Sequence, residues 1–345
     1  MGTIWSQSFP PSPVFTEKEC GDLSGKVFIV TGGASGVGRE LVKILFSNNG
    51  TVYIAARSEA KAQDTLTWCR AEHPGSTGRV EFLSLDLDDL TGIKASAEEF
   101  MSKETRLDVL WNNAGVMVPP AGSKTKQASS VASLQTSTPG LTVKCKQGYE
   151  LQLGTNCLGP FLFTQKLLPI LTRTAETAPK GSVRVAWAGS LVTNLGAPSG
   201  GIDMENITWS KKAGSQVDKY AQSKVGNLFL ASEFAKRDKA RDVVHVAFNP
   251  GNLKSPLQRH MSRITDSLTS WMLHHPRFGA YTELFAGLSP EIKAEQTGSY
   301  IIPWGRISVP RKDLLEAMKS REEGGPGTAA AFWSWCQTET AKYDN

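Results

Sequence analysis

Short apolar runs rich in β-branched residues alternate along most of the chain with longer stretches of helical periodicity. The apolar runs occupy residues 26–31, 51–56, 79–85, 107–111, 182–188, 243–248 and 299–303. Strands that helices cover on both faces read as near-continuous hydrophobic runs, whereas half-exposed strands alternate with polar residues. The pattern therefore predicts an α/β fold, in which repeated βαβ units build a parallel sheet within a single domain.

Long helices are expected between the strands, and three segments lie outside the alternation. The helices are predicted at residues 149–171, from residue 219 onward and at 264–285. Residues 1–24, punctuated by Pro and Ser, are interpreted as an N-terminal arm. Residues 119–146 are rich in Ser, Thr, Lys and Gly, which predicts an inserted loop beside the substrate entrance. Residues 306–345 are expected to form a C-terminal helical tail, which leaves 25–305 as the main domain.

Composition narrows the class of protein without changing this picture. The net charge of +5 is mild and no Lys/Arg run is present, so no nucleic-acid partner is expected. Five scattered Cys without metal-ligand spacing indicate reduced thiols and no metal site. Because no apolar run approaches the roughly 20 residues of a membrane span, and no secretory signal is evident, a cytoplasmic location is expected.

A glycine-rich turn joins the first predicted strand to the first helical stretch, at residues 31–38. Glycines at this point allow a tight turn and a close approach of the backbone to a pyrophosphate, while the following helix offers free N–H groups. A glycine-rich turn without a ligand is the alternative, but the order strand, glycines, helix favours a Rossmann-type doubly wound sheet that binds a dinucleotide. The loop residues expected to contact the cofactor are Gly32, Ser35, Gly36, Val37 and Gly38.

The end of the second strand indicates which dinucleotide is bound. NAD sites usually place Asp or Glu here to accept a hydrogen bond from the ribose 2′-hydroxyl. This chain instead has Ala56 followed by Arg57, whose guanidinium suits a phosphate, and Ser58 adds a hydroxyl. The sequence therefore predicts NADP(H), with a solvated Arg57 at a helix start as the alternative.

Four motifs in consecutive order give the chain its resemblance to a known family. The glycine turn is followed by Asp86-Leu87 after the third strand, by residues 112–115 (Asn-Asn-Ala-Gly) after the fourth, and by Tyr220 and Lys224 in a YxxSK arrangement. From about residue 23 to residue 303 the chain resembles the short-chain dehydrogenase/reductase family, and its arm and tail resemble fungal members of the retinol-dehydrogenase-like type.

The resemblance implies further cofactor contacts at positions that match the motifs. The Asp of the third strand holds the adenine amino group in the family, and the loop after the sixth strand covers the nicotinamide. Ser255 stands where the family commonly has Thr. Together with Arg57, Tyr220 and Lys224, the implied contacts are Asp86, Leu87, Asn113, Ala114, Gly115, Pro250, Gly251 and Leu253.

The same resemblance assigns catalytic roles. Tyr220 is the expected proton-transfer residue, and Lys224, one helical turn away, is expected to lower the pKa of Tyr220 and to hold the nicotinamide ribose. Ser190 is expected to bind the substrate oxygen, with Thr193 as the alternative. Asn156 is expected to open its helix locally and to bind a water that links the lysine to solvent.

Residues 252–298 are the expected substrate region, and their apolar and aromatic side chains favour a lipophilic or aromatic carbonyl compound. The predicted function is NADP(H)-dependent reduction of such a carbonyl, or oxidation of the matching alcohol, in a pathway of secondary metabolism. Imine or enone reduction, non-redox chemistry on the same scaffold, and a redox-silent dinucleotide-binding regulator remain alternatives. A homodimer or homotetramer is compatible with the resemblance. Membrane association is expected only if Gly2, in a myristoylation-like context, is acylated.

Overall fold

A single eight-stranded sheet forms the centre of the molecule. The computed structural model describes residues 2–119, 148–238, 242–254 and 273–344. The strands are β1 (Val27–Thr31), β2 (Thr51–Ala56), β3 (Arg79–Ser84), β4 (Val109–Asn112), β5 (Arg184–Ala188), β6 (Val244–Phe248), β7 (Tyr300–Ile302) and β8 (Arg306–Ser308). Their order in the sheet is β3-β2-β1-β4-β5-β6-β7-β8, and all neighbours are parallel except β7 and β8. The predicted doubly wound parallel sheet is confirmed.

Helices of at least seven residues alternate with the strands along the chain. They are α1 (Gly2–Ser8), α2 (Gly36–Ser47), α3 (Glu59–Glu72), α4 (Leu90–Lys103), α5 (Gly159–Thr177), α6 (Gln216–Arg237), α7 (Pro276–Leu288), α8 (Lys312–Met318) and α9 (Thr328–Thr340). A helical turn (Leu151–Leu153) and a π-helical segment (Gly154–Leu158) lead directly into α5.

The two faces of the sheet carry separate apolar cores. Successive residues of a strand point to opposite faces, and in β1 Ile29 belongs to one core whereas Phe28 and Val30 belong to the other. The first core also contains buried side chains of α4, α5, α6 and α9, and the second those of α2 and α7. Burial of the strands on both sides explains why their sequences are apolar throughout.

Three predictions about element boundaries need correction or completion. The helix expected at 264–285 is wrong over 273–275, because the backbone is extended at His275 and Pro276, which has no N–H to donate, begins α7. The arm contains the helix α1, which its Pro- and Ser-rich sequence did not predict. The tail begins with β8, an antiparallel edge strand whose three residues are too few for a recognisable pattern.

The inserted loop 119–146 lies almost entirely outside the described residues, as do the middle of the substrate region and Ser255. Among the residues that the structure describes, no helix has the length and apolarity of a membrane span.

Candidate active site

The glycine turn brings the end of β1 against the start of α2 and the loop after β4. Gly32 and Gly36 have φ angles of +70° and +57°, which favour glycine. A Cβ on Gly38 would lie 2.6 Å from the Asn113 Nδ2 and 2.9 Å from the Gly32 carbonyl oxygen. Ser35 is the N-cap of α2 but forms no side-chain capping bond, so the first-turn N–H groups of α2 are not satisfied from there. The turn can therefore receive an anionic group at the backbone.

Thr31 ties this turn to the loop after β4. Its hydroxyl donates to the Trp111 carbonyl oxygen at 3.1 Å and accepts from the Ala114 N–H at 2.9 Å. The Asn113 side-chain amide donates to the Thr31 carbonyl oxygen at 2.7 Å. The two loops lie at the point where the strand order reverses between β1 and β4, which is where open α/β sheets bind their ligands. Sequence reasoning did not identify this role of Thr31.

The ends of β2 and β3 lie next to each other beyond these loops. Arg57 is exposed, and within the described part of the chain no hydrogen bond or ion pair engages its guanidinium. The Ser58 hydroxyl caps α3 by accepting from the Lys61 N–H at 3.4 Å. Asp86 is half-buried and accepts from the Asp88 N–H at 3.2 Å, and Leu87 is buried. These positions are compatible with contacts to the adenosine half of a dinucleotide.

Asn156 lies in the π-helical segment, where the helix was expected to open. Its Oδ1 accepts from the Val116 N–H at 2.8 Å, and its Nδ2 donates to the Val116 carbonyl oxygen at 3.0 Å and to the Ser223 Oγ at 2.9 Å. The Ser223 hydroxyl in turn donates to the Tyr220 carbonyl oxygen at 2.8 Å. Asn156 therefore links the loop after β4 to the helix that carries Tyr220.

Tyr220 and Lys224 lie on α6, whose first turn is fixed by a capping box between Ser215 and Asp218. The Lys224 Nζ donates to the Ala188 carbonyl oxygen at 3.0 Å and lies 5.7 Å from the centroid of the Tyr220 ring. A Cβ on Gly115 would lie 3.3 Å from the same Nζ, so only a small residue fits beside it. Both predicted residues thus lie at the carboxyl edge of the sheet, beside the loop after β4.

Burial raises the pKa of Tyr220 to about 12, and a hydrogen bond with Ser190 acts against that shift. The expected lowering of the pKa of Tyr220 by Lys224 stays a prediction. Burial also lowers the pKa of Lys224 to about 8, while Cys157 and Glu283 act against that shift. Desolvation disfavours the charged form of each buried group, which raises the pKa of the phenol and lowers that of the ammonium.

Ser190 follows β5 and is half-buried beside Tyr220. Its hydroxyl accepts from the Val192 N–H at 3.3 Å. The alternative residue, Thr193, is 1% exposed, and its hydroxyl donates to the Ser190 carbonyl oxygen. Because Thr193 is committed to this backbone contact, the geometry favours Ser190 as the hydroxyl that faces Tyr220.

The loop after β6 completes the arrangement. Gly251 has a φ of +96°, and a Cβ there would lie 2.5 Å from the Trp304 ring. Pro250 is half-buried, and Leu253 is buried against Gly279 of α7. The loop is therefore closely packed against the turn that connects β7 to β8.

In the described part of the substrate region, some aromatic side chains belong to the core and others are partly exposed. Phe285 is 1% exposed and packs against Phe15 at a ring distance of 6.2 Å, so it belongs to the core. Tyr281 is also buried, whereas Phe278 is half-buried beside Trp304. The other predicted lining residues, Leu257, Met261, Trp271 and Met272, lie outside the described residues.

Glu283 is a charged group that sequence reasoning missed. It is 0% exposed, neither carboxylate oxygen has a hydrogen-bond partner among the described residues, and burial raises its pKa well above the ordinary value. Lys224 is the group that acts against this shift, so the two side chains interact electrostatically. An acidic side chain in a helix usually reads as solvent-facing from sequence, which explains why Glu283 was not singled out.

Comparison with known proteins agrees with the fold and the motifs. A family model described as short chain dehydrogenase matches residues 26–183. A short-chain dehydrogenase/reductase of Phomopsis amygdali is 47% identical over 344 residues, which cover 98% of this chain and 96% of that protein. This relative bears out the resemblance to fungal members.

Solved structures show the same architecture. The structure of an uncharacterized protein from Mycobacterium paratuberculosis matches with a TM-score of 0.64 and 25% identity, covering 96% of this chain and 98% of that one. The Pseudomonas aeruginosa RhlG/NADP active-site complex matches with a TM-score of 0.58 and 25% identity, covering 81% and 95%. The chain belongs to the short-chain dehydrogenase/reductase family of oxidoreductases.

Proposed function

We propose that the protein is an NADP(H)-dependent oxidoreductase that reduces the carbonyl group of a lipophilic or aromatic small molecule in the cytoplasm, in a pathway of secondary metabolism. The observation that carries the proposal is the placement of Tyr220 and Lys224 on one helix, with the Lys224 Nζ 5.7 Å from the centroid of the Tyr220 ring, and Ser190 acts on the pKa of the phenol. A proton donor and a second hydroxyl at the carboxyl edge of the sheet are the groups that carbonyl reduction requires.

The fit of the cofactor rests on the glycine turn and on Arg57. The close approach at Gly38 leaves no room for a side chain, as expected where a pyrophosphate meets the backbone. Arg57 is exposed and no described residue engages its guanidinium, whose donors suit a 2′-phosphate. The similarity to the RhlG/NADP complex agrees with this choice.

The bound NADPH would supply the hydride. Tyr220 holds a proton on its phenol oxygen at neutral pH, because its pKa lies near 12, and donates it to the oxygen of the carbonyl. Ser190 donates a hydrogen bond to the same oxygen as negative charge develops there. The balanced reaction is carbonyl, NADPH and one proton giving alcohol and NADP⁺.

Lys224 and Asn156 support these groups. Lys224 is proposed to hold the nicotinamide ribose, and Asn156 keeps the loop after β4 and α6 in register through Val116 and Ser223. Through these contacts the Asn156 amide acts as a positioning group, and its binding of a water that links Lys224 to solvent stays a prediction.

The experiment is incubation of the purified protein and NADPH with a panel of lipophilic ketones, following cofactor absorbance and identifying products. The wild type should form an alcohol, and Tyr220→Phe should lower turnover by about 10²–10⁴-fold while retaining NADPH binding. Undiminished turnover in that variant would exclude Tyr220 as the donor. Saturated imines or enones as sole products would indicate the alternative reductase, and NADPH binding without turnover a regulator.

A further inference from the structure

The N-terminal helix α1 packs against the loop after β6 instead of lying along the surface. Gln7 is 1% exposed and Ser8 is 4% exposed, whereas Trp5 on the same helix is 66% exposed. A buried amide is costly where it is not hydrogen-bonded, and the Gln7 Nε2 has no hydrogen-bond partner among the described residues. The Gln7 Oε1 accepts from the Asn249 side-chain amide at 2.8 Å, a contact between residues 242 positions apart.

Asn249 uses both ends of its side chain. While its Nδ2 donates to Gln7, its Oδ1 accepts from the Gly251 N–H at 3.0 Å. The amide group is planar, with donor and acceptor on opposite branches, so an acceptor placed at Nδ2 determines where Oδ1 points. Gln7 therefore orients Asn249, and Asn249 holds the positive-φ turn at Gly251.

The residues on either side of Gln7 hold two neighbouring segments. The Ser8 carbonyl oxygen lies 3.2 Å from the His274 Nε2, and the His274 N–H donates to the Asn252 carbonyl oxygen at 2.8 Å. Two Arg306 nitrogens donate to the Ser6 hydroxyl and to its carbonyl oxygen, each at 2.7 Å. Within three consecutive residues the arm thus contacts the loop after β6, the segment before α7 and the first residue of β8.

We propose that Gln7 is a positioning residue of the active site, which holds Asn249 and thereby keeps the turn at Gly251 in the shape that binds NADPH. The inference rests on the proposed function, in which this loop covers the nicotinamide. Gln7 itself acts through Asn249. Because coupling between two sites is reciprocal, bound NADPH must stabilise the docked arm to the same extent that the arm favours NADPH.

The test is a double-mutant cycle with Gln7→Met and Asn249→Ala, read out as the Kd of NADPH, the KM and kcat of the reaction, and the Tm. Gln7→Met keeps the length of the side chain and removes the acceptor. It should raise the Kd by about three- to tenfold, as expected for loss of one buried hydrogen bond. The double variant of Gln7→Met and Asn249→Ala should have nearly the same Kd for NADPH as Asn249→Ala alone, because Gln7 acts through Asn249. The exposed Trp5→Ala is the matched control and should bind NADPH as the wild type does.

An unchanged Kd in Gln7→Met, or a full additional effect on top of Asn249→Ala, would overturn the inference. A lower Tm with an unchanged Kd would show that the contact is only structural, which also overturns it. Failure of the wild type to bind NADPH would instead refute the proposed function.

A second measurement needs no variant. Hydrogen exchange of the amides of residues 6–9 in the wild-type protein should slow when NADPH is added, by the reciprocity argument. Exchange that NADPH leaves unchanged would contradict the inference even if Gln7→Met did not fold.

Discussion

The buried ammonium of Lys224 should make NADPH binding depend on pH in the range 7 to 9. Its pKa is lowered to about 8, with burial as the main cause. The proposed contact to the ribose, together with the phosphates of the dinucleotide, favours the protonated form, so the pKa in the complex lies above that of the free protein. Affinity is then complete well below the free pKa of about 8 and is lost as the pH rises through that value toward the pKa of the complex.

The magnitude follows from the protonated fraction of the free protein. That fraction is about 0.9 at pH 7, about 0.5 at pH 8 and about 0.1 at pH 9 for a group of pKa 8, and the apparent Kd varies as its inverse. The Kd of NADPH should therefore increase about tenfold from pH 7 to pH 9. Tyr220, with a pKa of about 12, stays protonated throughout this range and adds nothing to the change.

Titration of intrinsic fluorescence or calorimetry with NADPH at each pH measures this dependence. Lys224→Arg is the matched control, because a guanidinium stays protonated at every pH used and its Kd should be flat. Glu283→Gln should move the midpoint below pH 8, since Glu283 raises the pKa of Lys224. A wild-type Kd that changes less than twofold, or an equal increase in Lys224→Arg, would refute the reasoning.

Three further predictions address the cofactor site and the buried acid. The kcat/KM should favour NADPH over NADH by at least about tenfold, and Arg57→Ala should remove most of that preference in steady-state assays; an unchanged ratio would exclude Arg57 as the phosphate ligand. Gly38→Ala should weaken NADPH binding by at least about tenfold, because its Cβ would collide with Asn113. Gly75→Ala, whose Cβ would have no atom within 4 Å, is the control and should bind NADPH as the wild type does. Equal NADPH affinities of the two variants would place the cofactor elsewhere. Burial raises the pKa of Glu283 well above 4.5, so the contribution of Glu283 to the free energy of unfolding is complete below pH 4.5 and is lost as the pH rises. Between pH 5 and pH 8 the Tm of Glu283→Gln should therefore fall less than the Tm of the wild type. An equal fall of the two Tm values, measured by calorimetry, would contradict this.

The strands and the glycine turn could be predicted because their signals are local. A strand buried on both faces has an apolar sequence, and a turn that needs positive φ has Gly32 and Gly36. The π-helical segment around Asn156 is similarly flanked by glycines, which permit the altered backbone. In each case the sequence within a few residues determines the structure.

Contacts between distant parts of the chain could not be predicted in this way. Gln7 looks like an ordinary polar residue of an arm until the fold brings it to Asn249. Burial of Glu283 depends on the packing of α7 against the sheet, and the pKa of Tyr220 depends on desolvation that no spacing reveals. These properties arise from tertiary packing, so the sequence pattern carried no signal for them.

The measurement that tests the central claim most directly is transfer of deuterium to a ketone from NADPH that carries deuterium at both positions of C4 of the nicotinamide. The account predicts that wild-type protein forms an alcohol carrying one deuterium on the former carbonyl carbon, in amounts equal to the NADP⁺ formed, and that Tyr220→Phe forms it at least about a hundredfold more slowly. Product without deuterium at that carbon, or equal rates for the two proteins, would contradict it.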